Sequence, residues 1–281
     1  GITVALSGLG GDEIFGGYGT FSFIPKAERW LNLWRALPVS ARTTIVRVLS
    51  AAIGSTARQQ KLRRLQDVNN TIDLYAMIRA ETWIDVKQDI YSEDVKSQLH
   101  DRQQDGEIWR QLADIILSDS SWRQVQELEI INYMGWRLLR DADAMSMAHA
   151  LEIRVPLIDH KLVEYVAGLP AGMERRFGHP KRLLLQSLQD LLPQHVLNKP
   201  KQGFQFPMDI WMKNELRPIM DEVFSRASIS KRGLFEVAPM QRLYQQFKDG
   251  RLTYEVVWKF AVLELWMRQY IDSDQSFVQA A

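Results

Sequence analysis

Apolar and polar positions change period early in this chain. Ile2-Thr3-Val4-Ala5-Leu6 is a short apolar run closed by Ser7-Gly8, and a run of that kind reads as a buried parallel strand. After Tyr18 the apolar positions recur at helical spacing and candidate strands nearly vanish. Residues 21–36 and 40–53 read as helices split by Pro38, with Ser40 as N-cap of the second. Residues 70–82 repeat apolar contacts at Ile72, Tyr75, Ala76 and Ile78. Residues 121–140 form the clearest helix, with Val125, Leu128, Ile131, Met134 and Leu138 on one face, and deliver the chain into Asp141-Ala142-Asp143. Residues 159–167 read as a short helix stopped by Gly168-Leu169-Pro170, and residues 180–192 as one opened by Pro180. The stretch 198–207, with Pro200, Gly203 and Pro207, reads as an irregular loop of the functional kind. Residues 208–226, 238–249 and 253–271 are again helical, the last with Tyr254, Val257, Trp258, Ala261, Leu265 and Trp266 as its buried stripe. Asp272 to Ala281 reads as a frayed polar tail.

The expected fold class is therefore mainly α with one strand retained. A lone strand leaves its backbone groups unpaired. Ile2–Leu6 should then be an edge strand whose sheet lies upstream, or should pair with another chain and make a homodimer.

Composition narrows the function classes. The 281 residues suffice for one large or two modest domains, and a net charge of +1 argues against nucleic acid or an anionic membrane as partner. The basic cluster Lys61-Leu62-Arg63-Arg64 reads as a solvated helix face. The absence of cysteine excludes disulfides, thiolate metal sites and a cysteine nucleophile. It fits a reducing compartment. With no signal peptide and no apolar run of membrane-spanning length, a cytoplasmic location is expected.

The richest chemistry lies in Ser7-Gly8-Leu9-Gly10-Gly11-Asp12-Glu13-Ile14-Phe15-Gly16-Gly17-Tyr18, which has five glycines and two adjacent acids. Glycines let the backbone turn sharply and approach a ligand. The acids open a short helix, Asp12 to Tyr18, at the carboxyl edge of a strand, where ligands of α/β folds collect. Asp12 also suits the N-cap of a helix beginning at Glu13. Glu152 and Arg154 suit an extended segment running into Pro156, with Arg154 and Asp159 forming an internal ion pair. Met145 and Met147 read as core fillers. His149 and His160 lack metal-ligand spacing and read as packed or surface residues.

The loop resembles the Ser-Gly-Glu-Gly-x-Asp-Glu-x-Phe-Gly-Gly-Tyr signature of the asparagine synthase family. Two further segments resemble later signatures of that family, in the same order: Met145-Ser146-Met147-Ala148-His149-Ala150-Leu151-Glu152-Ile153-Arg154-Val155-Pro156-Leu157-Ile158-Asp159-His160, and Lys199-Pro200-Lys201-Gln202-Gly203-Phe204 with Pro207 and Trp211. The resemblance implies the helical C-terminal portion of an α/β synthetase domain of the PP-loop ATP pyrophosphatase kind. Residues 1–20 would be its nucleotide-site strand and loop, 21–271 its helical region and 272–281 a tail. It also implies ATP and Mg²⁺ as cofactors. The family adenylates a carboxylate, releases pyrophosphate and lets an amine, often ammonia from glutamine, displace AMP.

On that resemblance Ser7, Gly8 and Gly10 belong to the phosphate and ribose contacts. Asp12 is the metal carboxylate. Lys201 is the catalytic ammonium that follows charge from phosphate to acyl oxygen, while Lys199 is a solvated loop residue. The substrate is a small carboxylic acid, aspartate or another. Leu9 stands where asparagine-forming members carry Glu, and Ala144 where a basic residue often follows the acid matched by Asp143. Relatives acting on peptide, antibiotic or cell-surface sugar carboxylates vary at such places. The family's upstream Ser-Gly-Gly-x-Asp-Ser loop does not occur in the sequence, nor does the cysteine that opens its glutaminase domain. A fragment without activity of its own is therefore expected. A catalytically silent binding protein and a helical scaffold are the alternatives.

Overall fold

The first strand finds its partner inside the chain. The computed structural model describes residues 1–52, 62, 65, 68–79, 89–100, 104–170, 173, 181–199, 203 and 206–272. Val4–Leu6 forms β1 and Glu152–Arg154 forms β2. They run parallel, with Val4 opposite Glu152, Ala5 opposite Ile153 and Leu6 opposite Arg154. The ladder continues past both ends of β1. The Glu152 amide donates to the Thr3 carbonyl at 2.9 Å and the Ser7 amide to the Arg154 carbonyl at 2.8 Å. The expectation of a single retained edge strand, alone or paired across molecules, is thus corrected. Its partner is the extended segment held out of helix by the approach to Pro156.

Two compact units divide the chain. The first comprises Gly1–Pro38, Asp67–Ile78 and Glu107–Gly203. It contains the sheet, α1 (Gly11–Phe15) and α2 (Thr20–Ala36). The helix expected at 121–140 runs further, as α-helix over Ser121–Leu128, π-helix over Glu129–Leu138 and α-helix over Leu139–Met147. Asp141, Ala142 and Asp143 therefore lie within it, not beyond its end. Val125, Leu128 and Met134 are buried as expected, while Ile131 and Leu138 are half-buried. α2 packs on the first stretch, with the Phe21 and Trp122 rings 5.0 Å apart. The fully buried Glu129 joins three segments: it accepts from Thr20 Oγ1 at 2.7 Å and from the Tyr75 hydroxyl at 3.1 Å. A buried carboxylate needs such donors. Tyr75 sits on the helix Thr71–Arg79, whose buried face is Thr71, Leu74 and Tyr75. A threonine rather than Ile72 starts that stripe.

The short helix His160–Ala167 ends at Gly168 as expected, and its N-cap is Asp159, which accepts from the Lys161 amide at 2.9 Å. The expected helix 180–192 is reduced to Arg182–Ser187, followed by turns.

The second unit comprises Val39–Gln66, Arg79–Gly106 and Phe204–Ala281. α3 spans Val39–Ala52, so Ser40 lies inside it and is not its cap. Of the basic cluster, Lys61, Arg63 and Arg64 lie outside the described residues. The single helix expected at 208–226 breaks into Met208–Lys213 and Arg217–Val223, and Ser225 caps a further helix, Arg226–Arg232. Pro218 explains the restart, since proline is favoured in a first helical turn and not in an interior. With Val237–Lys248 and Tyr254–Met267 these helices enclose Met212, Met220, Phe224, Tyr244, Phe247 and Phe260. In the last helix Val257, Phe260 and Ala261 are buried, whereas Leu265 and Trp266 are 37% and 48% exposed. The expected stripe holds for its first half only. The frayed tail expected from Asp272 begins one residue later at the earliest: Asp272 ends a helical turn and pairs with Arg232 at 2.7 Å, and 273–281 lie outside the described residues.

Candidate active site

Two glycines in the left-handed region bracket α1: Gly10 at φ 89° precedes it and Gly16 at φ 73° ends it. Only glycine adopts such angles without strain. The helix starts at Gly11, so Asp12 lies in its first turn and is not its N-cap. There its carboxylate still benefits from the positive end of the helix. Glu13, 1% exposed, points inward and accepts from the Tyr18 hydroxyl at 2.5 Å. Burial and the Glu13 carboxylate hold the Tyr18 phenol far above its ordinary range. The Tyr133 ring of the π-helix meets the Tyr18 ring edge-on at 5.6 Å.

The first and second sequence motifs come together here. β1 and β2 join them edge to edge. Leu157 and Ile158 then pack directly on the loop. A Cβ at Gly10 would lie 2.2 Å from Ile158 Cγ2, and one at Gly11 would lie 2.9 Å from Leu157 Cδ1. Packing and backbone conformation thus both require glycine at position 10. Gly8 differs: it is exposed, and a Cβ there would meet nothing within 4 Å. Ser7 is half-buried, its hydroxyl 3.4 Å from the Leu9 amide that donates to it. Ser7 and Gly8 form the open lip of the loop, at the carboxyl end of β1.

Asp12 has a partner absent from the sequence expectations. Lys181 Nζ lies 2.8 Å from Asp12 Oδ1, with both side chains about a quarter exposed. Gly17 makes room for the pair, since a Cβ there would sit 1.7 Å from Asp12 Oδ1 and 2.7 Å from Lys181 Cε. Lys181 itself has φ 57°, a left-handed angle uncommon outside glycine. It precedes the helix Arg182–Ser187. One signal could have marked it: Lys181-Arg182 puts two cations at a helix N-terminus, where the macrodipole disfavours them.

The other expected residues are dispersed. Arg154 pairs with Glu152, not Asp159, at 2.6 Å, and its guanidinium holds that carboxyl below the usual range. Residues two apart on a strand share a face, so the pair follows from the strand. Met145 and Met147 are 70% and 55% exposed, which corrects their reading as core fillers. Asp143, Ala144, His149 and His160 are exposed. Lys201 lies outside the described residues, as do Pro200, Gln202 and Phe204. Lys199 is exposed.

Among the described residues no three His, Asp or Glu side chains converge as a metal cage. Asp12 offers one carboxylate beside an open, glycine-lined lip. That donor set suits a hard cation held mainly by water and phosphate oxygens, as Mg²⁺ is, and holds one only weakly without phosphate.

The sequence relationships agree with this arrangement. The chain is 27% identical to asparagine synthetase [glutamine-hydrolyzing] 1 of Bacillus subtilis over 279 residues, covering 94% of this chain and 40% of that protein. It is 24% identical to a putative asparagine synthetase [glutamine-hydrolyzing] of Mycobacterium tuberculosis over 276 residues, covering 96% of this chain and 40% of that protein. Amidase chry2 of Gibberella zeae is 23% identical over 258 residues, covering 84% and 37%. The chain thus spans about 40% of the length of the first two proteins. A family profile described as asparagine synthase matches residues 1–268, which includes the paired strands, the glycine loop and both halves of the Asp12–Lys181 contact. On that match the chain belongs to the asparagine synthase family.

Proposed function

We propose that this chain supplies the glycine-loop half of an ATP-dependent, amide-forming synthetase that adenylates a carboxylate and passes the acyl group to an amine. The observation that carries this reading is the open Ser7-Gly8 lip beside Asp12 and Lys181, at the carboxyl end of a parallel strand. Ser7 and the Gly8 amide bind phosphate or ribose oxygens there, and Lys181 adds a positive charge. A divalent metal held by Asp12 and phosphate oxygens would neutralise the polyphosphate. The β2 pairing and the Leu157–Ile158 contact keep the lip fixed, so the donors need not reorganise as charge develops. Lys201, matched by the resemblance to the family's catalytic lysine, is assigned the migrating charge. The overall fold is read as the helical part of a PP-loop ATP pyrophosphatase-like domain, and the location as cytoplasmic.

The acceptor is a small acid. Aspartate is the first choice, since two of the relatives are named asparagine synthetases. Leu9 in place of Glu favours another carboxylate, because it removes a proton acceptor from the lip. The 281 residues alone are expected to be inactive, since the described residues offer the metal one carboxylate. The test is ATP–pyrophosphate exchange with aspartate, glutamate and peptide carboxylates. It compares the 281-residue chain with the same chain carrying any upstream reading frame. Exchange in the longer protein, abolished by Asp12→Ala, supports the reading; longer protein without exchange on any acid overturns it in favour of a silent binding role.

A further inference from the structure

Resting on that reading of Asp12, we propose that Lys181 is a resident counter-ion that stands in for a divalent cation, so that metal binds Asp12 only as the ammonium is displaced. Four observations lead there. The ammonium sits 2.8 Å from Asp12 Oδ1, against the carboxylate that would hold a metal. The pair is only about a quarter exposed, so water screens it incompletely. Gly17 shapes the space around it: a Cβ there would overlap Asp12 and lie 2.7 Å from Lys181 Cε. Finally, Lys181 is held at φ 57°, an angle that a lysine does not adopt by preference. A surface salt bridge formed by chance has no need of a glycine at position 17 and a left-handed lysine.

Two cations held at contact distance on one carboxylate repel each other strongly. Metal and ammonium therefore compete, and each lowers the other's occupancy by the same factor. The lysine's long stem lets it swing away while the backbone stays fixed. An arriving anion that draws the ammonium off would then expose the carboxylate at the moment a metal is useful. Without an anion, the carboxylate stays neutralised and does not collect stray cations.

The test is Mn²⁺ binding to the 281-residue chain, followed by electron paramagnetic resonance of the free ion, with no nucleotide and no turnover. Lys181→Met should raise Mn²⁺ affinity about tenfold over the native chain, the scale of losing one charge-assisted competitor. Lys181→Gln, which keeps a polar tip toward Asp12, is the second variant and should act in the same direction. Asp12→Asn should remove the site in both backgrounds. Binding that is sensitive to Asp12→Asn but unchanged by either lysine substitution overturns the competition and leaves the metal role of Asp12 standing. Binding in Lys181→Met that survives Asp12→Asn places the metal elsewhere and overturns it too. No site in any variant overturns both this proposal and the assignment of Asp12.

Discussion

The Tyr18 hydroxyl donates to the buried Glu13 carboxylate at 2.5 Å, across the turn made by Gly16 and Gly17. This contact closes the loop on itself from the inside, while Ser7 and Gly8 stay open on the outside. Tyr18→Phe removes the donor and should destabilise the chain by about 1–3 kcal/mol, the range for stranding a buried polar group. Glu13→Gln keeps an acceptor and should cost less. Urea unfolding of the two variants checks the order.

The same contact sets a dependence on alkaline pH. The folded chain holds the Tyr18 phenol above its ordinary value of 10.0, through burial first and the Glu13 hydrogen bond second. A raised folded value contributes stability that is fully present below the unfolded value and lost as pH rises beyond it. Native chain should therefore lose stability above about pH 10 faster than Tyr18→Phe does. Phenolate absorbance should show that Tyr18 ionises only as the chain unfolds.

Glu264 predicts the opposite slope. Burial disfavours its ionised form, but hydrogen bonds from Arg232 and Arg268 outweigh that and hold it below its ordinary value of 4.5. A lowered carboxyl stabilises above the unfolded value and loses that contribution as pH falls through the folded one. Glu264→Gln should cost about 1–3 kcal/mol at pH 7, since it leaves two arginines short of a partner. The difference from native should shrink steadily below pH 4.5. Guanidinium unfolding at a series of acid pH values measures it.

Ala150, at φ 52°, ends the helix Leu139–Met147 in the left-handed region and turns the chain into β2. Glycine is the usual residue in that place. Ala150→Gly relieves strain and gives back part of the gain as unfolded-chain entropy. A net stabilisation of about 0.5–1 kcal/mol is expected. A lowered melting temperature would contradict it.

Lys201 is tested in a protein that shows exchange activity. Lys201→Ala should lower turnover roughly a hundredfold, about 3 kcal/mol, with little change in ATP affinity. Lys201→Arg should rescue it only in part, because a planar fork does not replace a compact ammonium. Lys199→Ala should be nearly silent. Equal losses at both lysines would mean that the loop acts through bulk charge.

What the sequence shows well is whatever one segment settles alone. The glycine loop, the helix Val237–Lys248 of the second unit and the short helix ended by Gly168 all come from local pattern and local turn chemistry. β2 is different. The approach to Pro156 marks Glu152–Arg154 as extended, but three residues carry too little periodicity to name a pairing, and the partner strand lies roughly 150 residues away. The Lys181–Asp12 contact was illegible for the same reason, since no spacing rule links the two; the cations at a helix N-terminus mark Lys181 but not its partner. Met145, Met147 and Trp266 misled because apolar residues on a helix read as core until the neighbouring surface is known.

The β1–β2 register has a consequence in time. Val4 and Glu152 stand roughly 150 residues apart, so their ladder closes a long loop before any of its bonds is gained. During synthesis β1 must wait through most of the first unit for its partner to emerge. Its exposed Ile2 and Leu6 make that wait hazardous. Refolding of the chain should accordingly be slow and concentration-sensitive, and a permuted chain that makes residues 1–20 directly ahead of 150–160 should fold faster and aggregate less.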